Sequence, residues 1–249
     1  MSSLEEKTVI VTGAGSGIGA ATACKVLEQG GKLVATDIHW APDNGLAAQL
    51  QGNENAMVLE HDVSSSSAWE SVVEAALGAF VHIDGLVNNA GIFVAKPLQE
   101  TTLAEWQSMM DVNIKGAFLG CRTVHPAMCK QGGGSIVNLV SAAGVQYFPG
   151  MAAYSASKAG CASFTRAAMI DFAKDNIRVN GVLPGTVKTG MTEDLLESPE
   201  FVDAVIGKHA LKRAAEPSEI AEVIVFLLSD EASYVNGINM LADGGLTIT

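Results

Sequence analysis

The chain has 249 residues, of which 48% are hydrophobic and 17% are charged. This composition supplies a sizeable core and excludes global disorder, and an α/β chain of this length usually folds as one domain. The formal charge of −12 at pH 7 argues against a protein that binds nucleic acid or that charge holds to an anionic membrane. We therefore expect a single domain over residues 1–249.

The first residues of the chain and its cysteine pattern bear on where in the cell the protein is expected to reside. Residues 1–7 lack the basic flank and apolar run of a signal peptide, and the long charge-free stretch from Lys130 to Lys158 holds too many glycines for a membrane span. The four cysteines form no Cys-x-x-Cys pair, and the five histidines are scattered along the chain. We expect a cytoplasmic protein with reduced thiols, no metal site and no membrane partner.

Short apolar runs alternate with helical patterns along the chain. The runs are Thr8–Thr12, Leu33–Thr36, Ala56–Leu59, Ile83–Asn88, Ser135–Val140, Ile177–Leu183 and Ile238–Ala242. Such runs are typical of parallel strands that are buried on both faces. The alternation predicts an α/β fold: a Rossmann-type, doubly wound parallel sheet of about seven strands flanked by helices.

Two helix starts and one irregular segment are also visible. Thr102 and Glu105 have the spacing of a capping box, and Pro217 suits the first position of a helix. Residues 186–215 have the weakest strand pattern. We expect this segment to be a mobile lid over a substrate, with short helical pieces.

A glycine-rich turn follows the first predicted strand. The sequence from Gly13 to Gly19 reads Gly-Ala-Gly-Ser-Gly-Ile-Gly and leads into a helical pattern. Between a strand and a helix, such a turn lets bare backbone and the helix amino terminus approach a pyrophosphate. The alternative is an ordinary glycine-rich loop, but the strand–turn–helix context favours a dinucleotide site.

Asp37 lies at the end of the second predicted strand, where its charge helps to distinguish between NAD(H) and NADP(H) as the bound dinucleotide. A carboxylate there can accept hydrogen bonds from the adenosine ribose, and it would repel a 2′-phosphate. No Lys or Arg lies in the glycine turn or beside Asp37. We therefore predict NAD(H) rather than NADP(H), the alternative being a merely solvated acid at a strand end.

Tyr154 and Lys158 stand four residues apart in a helical context, which places both side chains on one helix face. A cation about 5 Å from the phenolic oxygen would stabilise the phenolate by roughly 3 kcal/mol at an effective dielectric of about 20. The pair therefore suits general acid/base catalysis. Ser141 follows a predicted strand, where a doubly wound sheet exposes its ligands, although a serine there can equally cap backbone.

These residues belong to a longer ordered set. The set comprises Thr12–Gly19, Asp62 and Val63, Asn88–Gly91, Asn113, Ser141, Tyr154 and Lys158, and Pro184 and Gly185. In this order and spacing the chain resembles the short-chain dehydrogenase/reductase family over essentially its whole length. Val140 and Leu183 differ from the residues that are common at these positions in the family. The resemblance implies that they affect the shape of the pocket and do not touch the reacting groups.

The resemblance implies a role for each residue. Tyr154 would exchange a proton with the substrate oxygen, Ser141 would hydrogen-bond that oxygen, and Lys158 would hold the nicotinamide ribose. Asn113 would interrupt a helix and fix a water that links Lys158 to solvent. The residues implied to bind NAD are Gly13, Ser16, Gly17, Ile18, Gly19, Asp37, Asp62, Val63, Asn89, Ala90, Gly91, Tyr154, Lys158, Pro184, Gly185, Val187 and Thr189.

The substrate pocket and the assembly are less sharply indicated. We expect Val145, Gln146, Tyr147, Met191 and Leu195 to line the pocket, and we expect the methionines Met109 and Met110 to be core residues. The resemblance also implies a homotetramer that packs through two helices, at about 103–130 and 152–174, and through the apolar segment 234–249.

The sequence favours an NAD-dependent oxidoreductase that acts on a small-molecule secondary alcohol or ketone. One alternative is an NADPH-dependent 3-oxoacyl-carrier-protein reductase, which Asp37 disfavours. Another is a dinucleotide-binding sensor without turnover, which would not need Ser141, Tyr154 and Lys158 together.

Overall fold

The computed structural model describes residues 3–41 and 45–248. Within them, seven parallel strands form one sheet in the order β3-β2-β1-β4-β5-β6-β7. The strands are β1 (Thr8–Thr12), β2 (Lys32–Asp37), β3 (Ala56–Glu60), β4 (Gly85–Asn88), β5 (Gly134–Leu139), β6 (Ile177–Pro184) and β7 (Asn239–Ala242). The predicted doubly wound sheet is confirmed, and strand order reverses direction between β1 and β4, where such sheets place their ligands.

Helices connect the strands and cover both faces of the sheet. They are α1 (Gly17–Glu28), α2 (Leu46–Gln49), α3 (Ser66–Phe80), α4 (Leu103–Met110), α5 (Gly116–Gln131), α6 (Ala152–Phe172), α7 (Glu193–Leu196), α8 (Pro199–Ala204) and α9 (Pro217–Leu228). The Thr102–Glu105 capping box is present at the start of α4, and Pro217 takes the first turn of α9. In the described ranges, no helix combines the length and apolarity needed to cross a bilayer.

The core lies in two layers, one on each side of the sheet. Alternate residues of β1 serve both layers, because successive side chains of a strand point to opposite faces. Val9 and Val11 pack in the layer that holds α1 and α9, whereas Ile10 packs in the layer that holds α3 and α5. All three are fully or almost fully buried. The central strands are thus fixed from both sides, and their carboxyl ends form a rigid edge.

The predicted strand limits differ from the observed ones by a few residues, for identifiable reasons. Strand β4 begins at Gly85 rather than at Ile83, whose backbone N–H and oxygen pair with the Gln131 side chain at 3.1 and 2.8 Å instead of with a strand. Strand β7 begins at Asn239 rather than at Ile238, whose N–H donates to the Asn180 side chain at 3.1 Å.

The faces expected in a tetramer carry exposed apolar side chains. Leu103 begins α4, Phe118 lies in α5 and Ile170 lies in α6, and all three are exposed, as is Tyr234 near the carboxyl terminus. Thr249, the last residue of the implied interface segment, lies outside the described residues. The homotetramer stays a prediction.

Candidate active site

The glycine-rich turn lies at the carboxyl edge of the sheet, between β1 and α1. Gly13 and Gly17 have positive φ angles of 65° and 55°. A Cβ atom at Gly13 would come within 2.8 Å of Ala90 Cα, and one at Gly19 within 1.9 Å of the Gly13 oxygen. Side chains are therefore excluded from this cradle. Ser16 caps α1 without a side-chain hydrogen bond to it, which leaves the helix amino terminus available to an anion.

Asn89 fastens this turn to the neighbouring strand. Its side-chain N–H groups donate to the Thr12 oxygen at 2.8 Å and to the Gly13 oxygen at 3.0 Å. The Thr12 hydroxyl in turn accepts from the backbone N–H groups of Asn89 at 3.0 Å and of Ala90 at 3.1 Å. This reciprocal pairing fixes the ends of β1 and β4, as expected of a residue that supports the first strand.

The turn forms one wall of a cleft of about 440 Å³. Of the residues predicted to bind the cofactor, all line this cleft except Gly19, whose position in α1 places it behind the turn. A cleft of this size along a helix amino terminus and a bare backbone turn fits an elongated dinucleotide.

Asp37 and Asp62 stand at the far end of this cleft, and their carboxylates are already held. Asp37 accepts from the Gly15 N–H at 2.8 Å and from the His39 N–H at 3.1 Å. Asp62 accepts from both the N–H and the hydroxyl of Ser64, at 2.9 and 2.7 Å. Among the described residues that line the cleft, Lys158 is the sole Lys or Arg, so nothing there neutralises a phosphate near Asp37.

Tyr154 and Lys158 lie on one face of α6, as predicted from their spacing. The Lys158 ammonium is 5.8 Å from the centre of the Tyr154 ring and donates to the Leu139 oxygen at 2.9 Å. Lys158 is 4% exposed, and a buried ammonium interacts more strongly with neighbouring charge than one in water. The Tyr154 ring packs edge-on against Phe93, with centroids 4.9 Å apart, which orients the phenol.

Ser141 follows β5 and lines the same cleft. Its hydroxyl oxygen accepts from the Ala143 N–H at 3.1 Å, so the serine does cap backbone, the alternative that the sequence left open. The two roles are compatible, because a hydroxyl that accepts one hydrogen bond still has its own proton to donate.

Asn113 lies where the helix between β4 and β5 is interrupted. A π-helical turn, Asp111–Lys115, separates α4 from α5, and such turns frequently occur at functional sites. The buried Asn113 side chain accepts from the Ile92 N–H at 2.8 Å and donates to the Ser157 hydroxyl at 3.0 Å. A Cβ atom at Gly91 would lie 3.3 Å from Asn113 Oδ1 and 3.4 Å from Lys158 Nζ. Asn113 therefore lies behind the cleft wall, close to Lys158.

A second, smaller cavity of about 100 Å³ adjoins the cleft. Most of its lining is apolar: Phe93, Phe148, Met151, Met191, Leu195, Phe201, Val205 and Leu246. Ser141 and Tyr154 line both spaces. Two hydroxyl groups that can hydrogen-bond a substrate oxygen therefore lie between a dinucleotide-sized cleft and an apolar chamber.

The pocket residues expected from the sequence divide into two groups. Met191 and Leu195 do line the apolar cavity, whereas Val145, Gln146 and Tyr147 do not, and for these three the prediction was wrong. Val145 and Tyr147, which follow the short helical turn Ala142–Gly144, are exposed. Met109 is fully buried, as expected of a core residue.

Sequence reasoning missed several residues of the cleft. Ile38, His61 and Ile92 each adjoin a motif residue, so that extending the motifs by one position would have found them. Val112, which adjoins Asn113, would have been found in the same way, whereas no local pattern marks Ser108, which also lines the cleft. The apolar wall formed by Phe148 and Phe201 is likewise set by long-range packing.

His61 is the most unusual of the missed residues. It is 3% exposed, shares a hydrogen bond of 3.0 Å with the Thr36 hydroxyl, and stands edge-on to Trp69. Burial lowers the pKa of His61 to about 4, with a smaller opposing effect of Asp62. The ring is therefore neutral at physiological pH.

Comparisons with known proteins find relatives over nearly the whole chain. A family model described as enoyl-(acyl carrier protein) reductase matches residues 13–247. The chain is 38% identical to the cyclopentanol dehydrogenase of Comamonas sp. (strain NCIMB 9872), with 99% of each chain covered. It is 40% identical to the 3-oxoacyl-[acyl-carrier-protein] reductase of Thermotoga maritima, covering 98% of this chain and 99% of the relative. The crystal structure of levodione reductase matches with a TM-score of 0.90 at 33% identity over 98% of both chains.

Proposed function

This chain belongs to the short-chain dehydrogenase/reductase family, and from that premise we propose that it transfers a hydride between NAD(H) and a secondary alcohol or ketone. The observation that carries the proposal is the position of Ser141 and Tyr154, which line both the dinucleotide-sized cleft and the apolar cavity. A carbonyl oxygen placed between them would have its carbon facing the cleft and its substituents in the apolar chamber.

The cleft residues named above would bind the cofactor. When bound, the nicotinamide ring would supply or accept the hydride. The turn from Gly13 to Gly19 and the amino terminus of α1 would hold the pyrophosphate. Asp37 would accept hydrogen bonds from the adenosine ribose, and its charge would disfavour a 2′-phosphate. Lys158 would donate to the nicotinamide ribose.

Tyr154 is the general acid/base of this mechanism. In the reduction direction its hydroxyl donates a proton to the substrate oxygen, and in the oxidation direction its phenolate removes the hydroxyl proton of the alcohol. The nearby Lys158 ammonium stabilises the phenolate. Ser141 donates its hydroxyl proton in a hydrogen bond to the same oxygen and so fixes its position.

Asn113 acts as a positioning residue in the same mechanism. It holds Ile92 and Ser157, and the Ser157 hydroxyl donates to the Tyr154 backbone oxygen at 2.7 Å. We infer that a water bound between Asn113 and Lys158 connects the site to solvent and returns the proton to Tyr154.

The experiment that tests this function is a panel of cyclic and aliphatic secondary alcohols, assayed with NAD⁺ and with NADP⁺ by the absorbance of the reduced cofactor. We expect turnover of at least one cyclic alcohol, because the chamber is apolar, and a higher kcat/KM with NAD⁺. Absence of turnover with every alcohol and with the corresponding ketones would contradict the proposal. A preference for NADP⁺ would contradict the role of Asp37 alone.

The relative from Thermotoga maritima favours a second candidate, a 3-oxoacyl-carrier-protein reductase. The two functions share the reacting groups and differ in the substrate and, on this proposal, in the cofactor. Reduction of an acetoacetyl thioester with NADPH at a higher kcat/KM than any simple ketone with NADH would establish the second function in place of the first.

A further inference from the structure

Three side chains that commonly bind metals meet far from the cleft. His125 and Cys129 lie one turn apart in α5, and Asp175 lies in the short helical turn Ala173–Asp175 that follows α6. His125 Nε2 is 2.9 Å from Asp175 Oδ2 and 3.2 Å from Cys129 Sγ. The three potential ligand atoms all lie within 4.8 Å of one another. The fold thus brings two neighbouring residues of α5 together with Asp175, which is distant from them in sequence.

The topology places this cluster at the opposite edge of the sheet from the cleft. Helix α5 ends just before β5 begins at Gly134, and Asp175 stands two residues before the start of β6 at Ile177. Both positions belong to the edge where strands begin, whereas the cleft lies where they end. None of the three residues lines the cleft, so a ligand bound here would be separate from the dinucleotide and the alcohol.

We propose that His125, Cys129 and Asp175 form a site for a divalent transition-metal cation of the zinc class. Imidazole nitrogen, thiolate sulfur and carboxylate oxygen are the ligand types that zinc takes in proteins. A thiolate and a carboxylate carry two negative charges together, which match the charge of a divalent cation. Mg²⁺ and Ca²⁺ prefer oxygen ligands, so the sulfur selects against them.

The observed distances are close to those of a tetrahedral site. Metal–ligand bonds of about 2.0–2.3 Å place neighbouring ligand atoms roughly 3.3–3.6 Å apart. The His125–Asp175 and His125–Cys129 pairs are 2.9 and 3.2 Å apart, and the third pair lies within 4.8 Å. The side chains must therefore separate by a few tenths of an ångström. Cys129 Sγ is also 3.7 Å from His125 Nδ1, so the sulfur lies beside the ring, and a rotation of the Cys129 side chain brings it to the metal.

The surroundings support this arrangement. The His125 ring packs on the Phe172 ring with centroids 4.4 Å apart, which limits its rotation. The side chains of His125 and Asp175 are 30% and 26% exposed, which leaves room for water as a fourth ligand. On binding, the metal takes the place of the thiol proton, which is released to solvent, and His125 coordinates through Nε2 with its ring proton on Nδ1.

A metal bound here would cross-link α5 to the short helical turn that follows α6. The cation would join the end of α5 to the turn after α6, and a ligand that binds the folded state stabilises it by mass action. We therefore expect the site to raise the thermal stability of the chain without taking part in the chemistry.

The test is a titration of the metal-free protein with Co²⁺ and with Zn²⁺. Cobalt bound to a thiolate gives a sulfur-to-metal charge-transfer absorption. We expect one equivalent to bind with that absorption, Zn²⁺ to displace it, and the melting temperature to rise. Cys129→Ser should abolish the absorption, and Asp175→Asn should weaken binding by about tenfold or more. Cys24→Ser is the matched control, since Cys24 is a half-buried thiol on another helix, and it should behave as the parent.

Several results would overturn the proposal. They are the absence of stoichiometric binding, an unchanged charge-transfer absorption in Cys129→Ser, or its loss in Cys24→Ser. His125→Gln is the variant most exposed to misfolding, because of its contact with Phe172, so the cysteine and aspartate variants carry the test. Alcohol oxidation by Cys129→Ser should equal that of the parent, so that failure of this site and failure of the proposed function are distinguishable.

Discussion

The glycine-rich turn and the segment 186–215 border the same cleft, yet they are built in different ways. The turn is a glycine-rich stretch of backbone between β1 and α1, held by Asn89 and Thr12. The segment consists of two short helices, α7 and α8, and its ends meet in an isolated bridge between Val187 and Ala215. The cofactor half of the cleft, which the turn forms, is therefore specified locally, whereas the substrate half, which segment 186–215 borders, depends on distant contacts.

The two regions touch at one point. A Cβ atom at Gly17 would lie 3.0 Å from Thr189 Cγ2, so the start of segment 186–215 rests against the turn. Farther along, Phe201 and Val205 line the apolar cavity. That the segment closes over a bound substrate as a mobile lid stays a prediction.

The largest loss of cofactor binding is expected from a change in the turn. In Gly19→Ala the new methyl group would lie 1.9 Å from the Gly13 oxygen, so the turn must shift. Overpacking of this kind costs about 1–3 kcal/mol, and we expect NADH to bind on the order of 100-fold more weakly. Fluorescence titration with NADH measures this.

The matched control is Gly78→Ala. A Cβ atom at Gly78 meets nothing within 4 Å, and the residue lies inside α3. That variant should bind NADH normally and gain up to about 1 kcal/mol of stability from the better helix propensity. Equal NADH affinity in the two alanine variants would show that the turn does not cradle the cofactor.

A change in cofactor preference, rather than a loss of cofactor affinity, is expected at the other end of the cofactor half. Asp37→Asn removes the charge that would repel a 2′-phosphate, and we expect the ratio of kcat/KM for NADH to that for NADPH to fall by about 100-fold. The control is Glu60→Gln, which removes the same charge from the paired position of the adjacent strand. An equal shift in both variants would mean that net charge, not Asp37, sets the preference.

His61 lines the cofactor half of the cleft, and it makes the folding stability of the chain depend on pH. Burial lowers the pKa of His61 from 6.5 to about 4. The unfolded chain therefore takes up the proton first as pH falls, and folding stability is lost between those two values. Between pH 7 and pH 5 the loss is about 2 kcal/mol from this residue.

Urea unfolding at the two pH values measures that loss. His61→Gln should reduce the difference in unfolding free energy between pH 7 and pH 5 by about 2 kcal/mol. His82→Gln, which changes an exposed histidine, should leave the difference as it is in the parent. The same pH dependence in the parent and in His61→Gln would show that His61 is not the titrating group.

The smallest expected effect is a change in hydrogen exchange within segment 186–215. The Thr192 hydroxyl donates its one proton to the Val187 oxygen, with the Thr189 oxygen farther away at 3.2 Å, and it accepts from the Thr189 N–H at 3.2 Å. Thr192→Val removes these bonds at a cost of about 1 kcal/mol. Hydrogen exchange should then quicken in residues 186–215 and not in the glycine turn. Thr101→Val, which removes an exposed hydrogen bond to Pro97, should leave exchange in both regions unchanged.

All but one of the residues that the sequence assigned to the cofactor line the cleft, because strand periodicity and a glycine spacing fix local backbone geometry. The pairing of Tyr154 with Lys158 was likewise predictable, since helical spacing places both on one face. The wall of the apolar cavity was not. Phe148 and Phe201 reach it from separate elements, and whether Val145 points inward depends on the helical turn before it. Cys129 and Asp175 meet for the same reason, through packing between distant segments.

The central claim is that Tyr154 moves the proton of the reaction, and Tyr154→Phe tests it most directly. The variant keeps the ring against Phe93 and removes the hydroxyl. NADH affinity should stay within about threefold of the parent, whereas kcat for alcohol oxidation should fall roughly 100- to 10,000-fold. A kcat within about twofold of the parent, with cofactor binding intact, would contradict the account.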